Sequence, residues 1–264
     1  MIRAHFGLDQ NPFSHERLSL LRQQQEIFDT LRVHCQQGGL CLIVGEPGTG
    51  KSIIKHVLRE HDPKRMLTPV VNRTLHTYHS ILRILCEAFQ IDTDGVNFRC
   101  ERRLIEEAQR LNHLGKMLVP IVDDAHLLDV DSLRRLRLLF EDFPKNHNLV
   151  LIAQPGLLTK LALTVNEDIK SRVTYSAVVP KLTAEDMNTF ILAELDRVAL
   201  AHRTFTVEAL DLIVRSSEGI LRRARNLCLS TLLEAVRDRT KIVDLKQVNR
   251  VLLQPHWRQE QDLS

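Results

Sequence analysis

Residues 45 to 52 read Gly-Glu-Pro-Gly-Thr-Gly-Lys-Ser, a complete G-x-x-x-x-G-K-[ST] pattern, and the apolar run Leu40-Cys41-Leu42-Ile43-Val44 stands directly before it. A buried strand running into a glycine-rich turn and out into a helix is what this order of residues dictates. Gly45, Gly48 and Gly50 let backbone N–H groups of the turn, which Glu46, Pro47 and Thr49 complete, close around a β-phosphate. The helix starting near Lys51 points its positive N-terminus at the same oxygens. Lys51 then reaches the β- and γ-phosphates, and the Ser52 hydroxyl ligates Mg²⁺. The expected ligands are ATP and Mg²⁺.

At 264 residues the chain holds one α/β domain of ordinary size and a smaller second domain. Apolar residues make up 44% and charged residues 26% of it, enough for a sizeable core. No apolar stretch approaches the ~20 residues of a membrane span, and residues 1 to 30 lack a secretory signal pattern. The expectation is a soluble cytoplasmic protein. Five cysteines (Cys35, Cys41, Cys86, Cys100 and Cys228) include no C-x-x-C pair and suggest neither zinc nor a disulfide frame. With a net charge of only +3, an acidic partner must be met by local basic patches.

The segment His5-Phe6-Gly7-Leu8-Asp9-Gln10-Asn11-Pro12-Phe13 reads as an arm that docks on a folded domain. Helical periods follow over about 20–35, 51–60, 77–90 and 100–114, with Asp131 expected to cap a further helix. Met66 to Val71 reads as a second strand ending at Asn72. Met117 to Val122 reads as a third, in which Pro120 removes a ladder donor. Asn148 to Ala153 and about 174–179 complete a mostly parallel sheet between helices. From Lys181 the pattern is wholly helical, with Thr183 and Thr206 opening its first two helices. The boundary is placed at Pro180, giving an arm plus α/β domain over 1–180 and a small helical lid domain over 181–264.

A phosphate loop needs a companion carboxylate for Mg²⁺ at the end of a neighbouring strand, and Asp123 fits. Asp124 is placed to polarise the attacking water, because neighbouring strand-end residues face different ways. The plain alternative for Asp124 is a turn or capping acid. Asp-Asp-Ala-His is also a helicase-like box, but no further helicase motifs accompany it.

Taken with the Phe6-Gly7-Leu8…Pro12-Phe13 arm, Ala153-Gln154-Pro155, Lys170-Ser171-Arg172-Val173 and Gly219-Ile220-Leu221-Arg222…Asn226-Leu227-Cys228, these motifs resemble AAA+ ATPases, specifically the ExeA-like and TnsC-like group. The resemblance covers nearly the whole chain. It implies a P-loop AAA+ parallel sheet sandwiched by helices, followed by the helical lid. It further implies that Gln154 is sensor 1, Arg172 an arginine finger acting on a neighbouring subunit's nucleotide, and Arg222 a sensor 2 contacting phosphates in cis. Asn72 matches the polar switch residue that holds the catalytic acid. For each arginine the alternative is an ordinary surface charge. Asp124 stands where the group usually has Glu, so hydrolysis is expected to be slow, and Leu221 stands where Pro is common.

A finger working in trans requires a homo-oligomer, a ring or helical filament. Relatives that regulate transposition hold the duplex DNA backbone with basic residues, matched here by Arg73, Arg102, Arg103 and Lys116. No aromatic stacking platform accompanies them, so backbone binding is favoured over base readout. The first reading is therefore an ATPase that assembles on DNA and recruits or activates a transposase, with hydrolysis timing disassembly. The alternative is a cytoplasmic ATPase of a general-secretion envelope complex, whose relatives carry a transmembrane helix after the lid that this sequence lacks. A nucleotide-dependent scaffold without useful turnover is the third.

Overall fold

A computed structural model describes residues 1–14, 20–72, 77–93 and 97–254. The chain divides into two compact units, one of Leu20–Glu46 and Lys51–Val179, the other of Met1–Ser19, Pro47–Gly50 and Pro180–Ser264. In chain order, α1 (Ile2–Phe6), α2 (Arg22–Gln37), β1 (Gly39–Val44), α3 (Lys51–His61), β2 (Met66–Leu67), β3 (Val70–Val71), α4 (Tyr78–Ala88) and α5 (Asn97–His113) come first. Then follow β4 (Met117–Leu118), β5 (Ile121–Val122), α6 (Val130–Glu141), β6 (Asn148–Ala153), α7 (Gly156–Ala162), α8 (Glu167–Lys170) and β7 (Val173–Val178). Four helices end the described chain: α9 (Ala184–Arg197), α10 (Val207–Ser216), α11 (Leu221–Arg237) and α12 (Leu245–Leu252).

In the α/β unit the main sheet has the order β3-β5-β6-β1-β7, and each of its pairings is parallel. Parallel strands need helical crossovers, which cover both faces, so the strands read as continuous apolar runs. The two-residue alternation of side chains sorts them. Leu40, Leu42, Val44, Leu149, Leu151 and Ala153 share a core with residues of α4, α5, α6 and α7. Cys41, Ile43, Val150 and Ile152 share the other with Phe28, Leu31 and Cys35 of α2 and Ile54 and Leu58 of α3.

Two expected strands are each broken in two. Met66 pairs with Met117, Leu67 with Leu118, Val70 with Ile121 and Val71 with Val122, so Pro69 runs beside Pro120 and neither supplies an N–H. The interruption falls at one level of both strands. Their carbonyls stay engaged, since Val119 N–H donates to Leu67 O at 2.8 Å and Ile121 N–H to Pro69 O at 2.9 Å. Pro120 O accepts from Val150 N–H at 3.0 Å where the pairing with β6 begins, so the missing donor falls at the start of that ladder. Both broken strands therefore still deliver the residues that follow them, Asn72 and Asp123, to the same end of the sheet.

The cap of α6 is Asp129, not Asp131. Asp129 takes an extended backbone (φ −70°, ψ 162°) and its Oδ1 accepts the Ser132 N–H at 2.6 Å. Asp131 lies inside the first turn and pairs with Arg134.

In the other unit, Thr183, Thr206 and Asp244 cap α9, α10 and α12 through the N–H groups of Asp186, Ala209 and Lys246. The N-terminal arm packs on these helices. Ile2, Leu8 and Phe13 are buried, His5 Nε2 lies 2.9 Å from Thr240 O, and Arg225 donates to Ser14 O at 2.6 Å. No helix among the described residues is long and apolar enough to cross a membrane.

Loss of the α6 cap in Asp129→Ala should cost about 1 kcal/mol, whereas Asp131→Ala should stay within about 0.5 kcal/mol of the parent. Urea unfolding of both variants checks the assignment, and equal losses would contradict it.

Candidate functional site

Because the strands are parallel, the residues that follow β3, β5, β6 and β1 collect at one edge: Asn72, Asp123, Gln154 and Gly45. β6 lies between β5 and β1, so Gln154 stands between the acidic strand end and the start of the phosphate loop. Ligands of open parallel sheets bind at such carboxyl edges.

Gly45 continues the ladder, donating its N–H to Ala153 O at 3.2 Å, and so is not among the donors the loop offers. Gly48 (φ 86°) and Gly50 (φ 105°) take the left-handed conformations that reorient the loop's N–H groups. Lys51 Nζ donates to Gly45 O at 2.6 Å and Glu46 O at 2.8 Å, so the loop carbonyls hold the ammonium at the loop's mouth. Ser52, in the first turn of α3, is exposed. Within the α/β unit, a lysine held by the carbonyls of Gly45 and Glu46, an accessible Ser52 hydroxyl and the Asp123 carboxylate form a donor set that fits a Mg²⁺-bound nucleotide.

In the helical unit Gly48 packs on the start of α11. Arg222 donates its N–H to Gly48 O at 3.1 Å, and a Cβ on Gly48 would lie 2.8 Å from Arg222 Cβ and 2.9 Å from Ile220 Cγ2. Arg222 is thus anchored by its backbone to the tip of the phosphate loop.

Asp123 has both oxygens engaged. Oδ1 accepts the Asp124 N–H at 3.0 Å, and Oδ2 lies 2.6 Å from Lys55 Nζ, which also donates to Asn72 Oδ1 at 3.0 Å. Asn72 therefore reaches Asp123 through Lys55. Asp124 takes a left-handed backbone (φ 52°), which Asp tolerates, and turns the chain into a short 3₁₀ helix over Ala125–Leu127. The next residue but one, His126, accepts the Gln154 N–H through Nδ1 at 3.4 Å, and burial pulls its pKa below the ordinary imidazole value. Lys160 donates to His126 O at 2.7 Å and Leu128 O at 3.4 Å, tying this turn to α7.

Arg172 lies at the opposite edge. It precedes β7, whose first residue pairs with Leu40 at the beginning of β1. Six residues of β1 separate that end from the loop, about 20 Å at ~3.3 Å per residue. Its guanidinium pairs with Glu141 at 3.0 Å, and Glu141 also takes Arg137 at 3.2 Å.

Of the basic residues, Arg102, Arg103 and Lys116 are described. Arg102 pairs with Glu106 at 3.4 Å and Arg103 with Asp92 at 3.4 Å. Lys116 follows the far end of α5, about 15 Å along at ~1.5 Å per helical residue. Arg73 lies outside the described residues.

Lys55 and Lys160 went unnoticed in the sequence. Lys55 carried a signal, since a residue four positions after Lys51 falls on the same helical face. Lys160 carried none, as its role depends on where α7 lies.

Residues 33–161 match the family described as AAA domain. Over 255 residues the chain is 30% identical to general secretion pathway protein A of Aeromonas hydrophila, covering 92% of this chain and 46% of that protein, so it spans about half the length of this curated relative. The fold is similar to the Aeropyrum pernix ORC2 protein in ADPNP–ADP complexes, with TM-score 0.73 and 16% identity over 95% of this chain and 73% of that one. It is also similar to Aeropyrum pernix ORC1 in complex with DNA, with TM-score 0.66 and 18% identity over 92% of this chain and 65% of that one. At such identities the likeness speaks for the fold, a P-loop AAA+ fold with a helical C-terminal part.

Gly48→Ala should weaken nucleotide binding and cost about 1–3 kcal/mol of stability, because the added methyl meets both backbone strain and the Arg222 and Ile220 side chains. Calorimetric titration with ATP and thermal unfolding check this. Parent-like values in both would show that the close packing is dispensable.

Proposed function

From the P-loop AAA+ fold as premise, we propose that the chain is a cytoplasmic ATPase whose nucleotide state governs its assembly on duplex DNA, where it recruits or activates a transposase. The observation that carries the ATPase is the convergence of Lys51, Ser52, Asp123 and Gln154 on one sheet edge. Ser52 and Asp123 would hold Mg²⁺, which would supply positive charge against the phosphates. Lys51 trades its loop carbonyls for the β- and γ-phosphate oxygens. Asp124 orients water for attack on the γ-phosphorus and takes its proton, Gln154 steadies that water, and the products are ADP and phosphate. Arg222 contacts the phosphates from the loop tip to which its backbone is bonded. Asp124 is one methylene shorter than Glu, and the resulting slow turnover suits a timer of disassembly better than a motor.

The charge that develops on the transferred group needs a further cation, and Arg172 supplies it to a neighbouring subunit. Its place across the sheet from its own phosphate loop supports a role in trans. The Glu141 pair that holds it is solvent-exposed and therefore weak enough to exchange for phosphate. A repeated head-to-tail contact of this kind builds a ring or filament. Contacts to the duplex through Arg73, Arg102, Arg103 and Lys116 would be to phosphates, and the similarity in fold to a protein solved with DNA supports that partner. The 30% identity to a general secretion pathway protein favours a second reading, an ATPase of a secretion complex.

Electron microscopy and sedimentation with duplex DNA and a slowly hydrolysed ATP analogue, at fixed salt, separate the two. Nucleotide-dependent rings or filaments on DNA are expected. A protein that binds the analogue but ignores DNA even at low salt would give the secretion reading precedence. Among variants, Lys51→Ala should lose ATP binding, while Arg172→Ala should bind ATP and lose hydrolysis by a factor of about 10³ or more. Normal hydrolysis by Arg172→Ala would remove the finger assignment.

A further inference from the structure

Lys55 lies one helical turn beyond Lys51 and reaches past the loop to two strand ends, with Nζ 2.6 Å from Asp123 Oδ2 and 3.0 Å from Asn72 Oδ1. The Lys55 and Asp123 side chains are each only 19% exposed, so this pair is shielded far more than most surface ion pairs. The other Asp123 oxygen is taken by the Asp124 N–H. Each oxygen of the carboxylate best placed to hold a divalent cation thus already takes one of the chain's own donors, and one of those donors is a cation. An ammonium within hydrogen-bond distance of Oδ2 and a cation drawn to that same oxygen compete for one position and one negative charge.

We propose that Lys55 is a positioning residue that occupies Asp123 as a resident cation and sets how much Mg²⁺ the site requires, an inference that rests on the nucleotide-binding reading above. With Lys55 in place, the acid is neutralised and aimed before any metal arrives. Asn72 helps to hold the ammonium on Asp123, and entry of Mg²⁺ displaces it from both. Asn72 then reports the state of Asp123 to the end of β3 through Lys55. The same arrangement makes Mg²⁺ uptake conditional, since the metal alone must outcompete Lys55 while the metal with nucleotide brings phosphates that can receive the released ammonium.

The test uses the full chain and a fluorescent ATP analogue, titrated with Mg²⁺, beside thermal unfolding in Mg²⁺ without nucleotide. Lys55→Met should lower the Mg²⁺ concentration for half-maximal analogue binding by about fivefold. Mg²⁺ alone should raise the melting temperature of Lys55→Met and leave the parent unmoved. Lys55→Arg, which keeps the cation, should restore the parent midpoint, and Asn72→Ala should shift it in the direction of Lys55→Met by a smaller factor. Unchanged midpoints in Lys55→Met and Asn72→Ala would overturn the proposal, and Asn72→Ala alone decides it should Lys55→Met fail to fold. A parent that binds no analogue at any Mg²⁺ concentration refutes the nucleotide reading instead. In that event the thermal arm still decides whether Lys55 guards Asp123.

Discussion

Everything at the functional edge depends on the parallel pairing of β1 with β6 and of β6 with β5. Parallel strands share a direction, so the chain's turns out of β1, β5 and β6 fall side by side although 78 and 31 residues of sequence part Gly45 from Asp123 and Asp123 from Gln154. The interior residues of these strands carry no chemistry. They bury apolar surface on both faces, and that burial holds the register by which a phosphate loop, an acid and an amide meet. The breaks at Pro69 and Pro120 show how much of the ladder can be given up when register is held by packing, since Val71 and Val122 still pair beyond them.

The edge is also organised by charge. Two lysines spaced four apart on α3 are pinned in opposite ways: Lys51 by neutral carbonyls of the loop and Lys55 by the Asp123 carboxylate. Carbonyls release an ammonium to phosphate at small cost, whereas a shielded carboxylate does not. One helical face therefore presents two cations, one held by neutral carbonyls and one by a carboxylate. Arg172 with Glu141 and Arg137 repeats the motif of a shared carboxylate at the other end of the sheet.

The nucleotide loop, the strands and the helical C-terminal part were legible in the sequence because local chemistry decides them. Glycine spacing and an apolar run define a strand and its turn, and Thr183 and Thr206 are caps in structure as in pattern. Asp129 was passed over because Asp131 is equally suited by residue type, and only the extended backbone at 129 distinguishes them. That Gly45 spends its N–H on Ala153, or that Asn72 meets Lys55, could not be read, since both contacts join segments whose proximity exists only once the sheet is built. The basic residues show the converse: Arg102, Arg103 and Lys116 are named by resemblance, which says nothing of the acids Glu106 and Asp92 that pair with the first two.

The packing of Gly48 carries a mechanical consequence. With Ile220 and Arg222 filling the space where a methyl would stand, and the Arg222 N–H fastened to the Gly48 carbonyl, the loop tip and the first turn of α11 have no slack between them. A displacement of the tip by even a few tenths of an ångström cannot be absorbed at a close-packed contact of this kind and must be passed on. α11 extends for 17 residues, about 25 Å at ~1.5 Å per residue, so a small tilt at its first turn becomes a larger sweep at Arg237. The tip of the loop and the first turn of α11 are in this sense one packed piece.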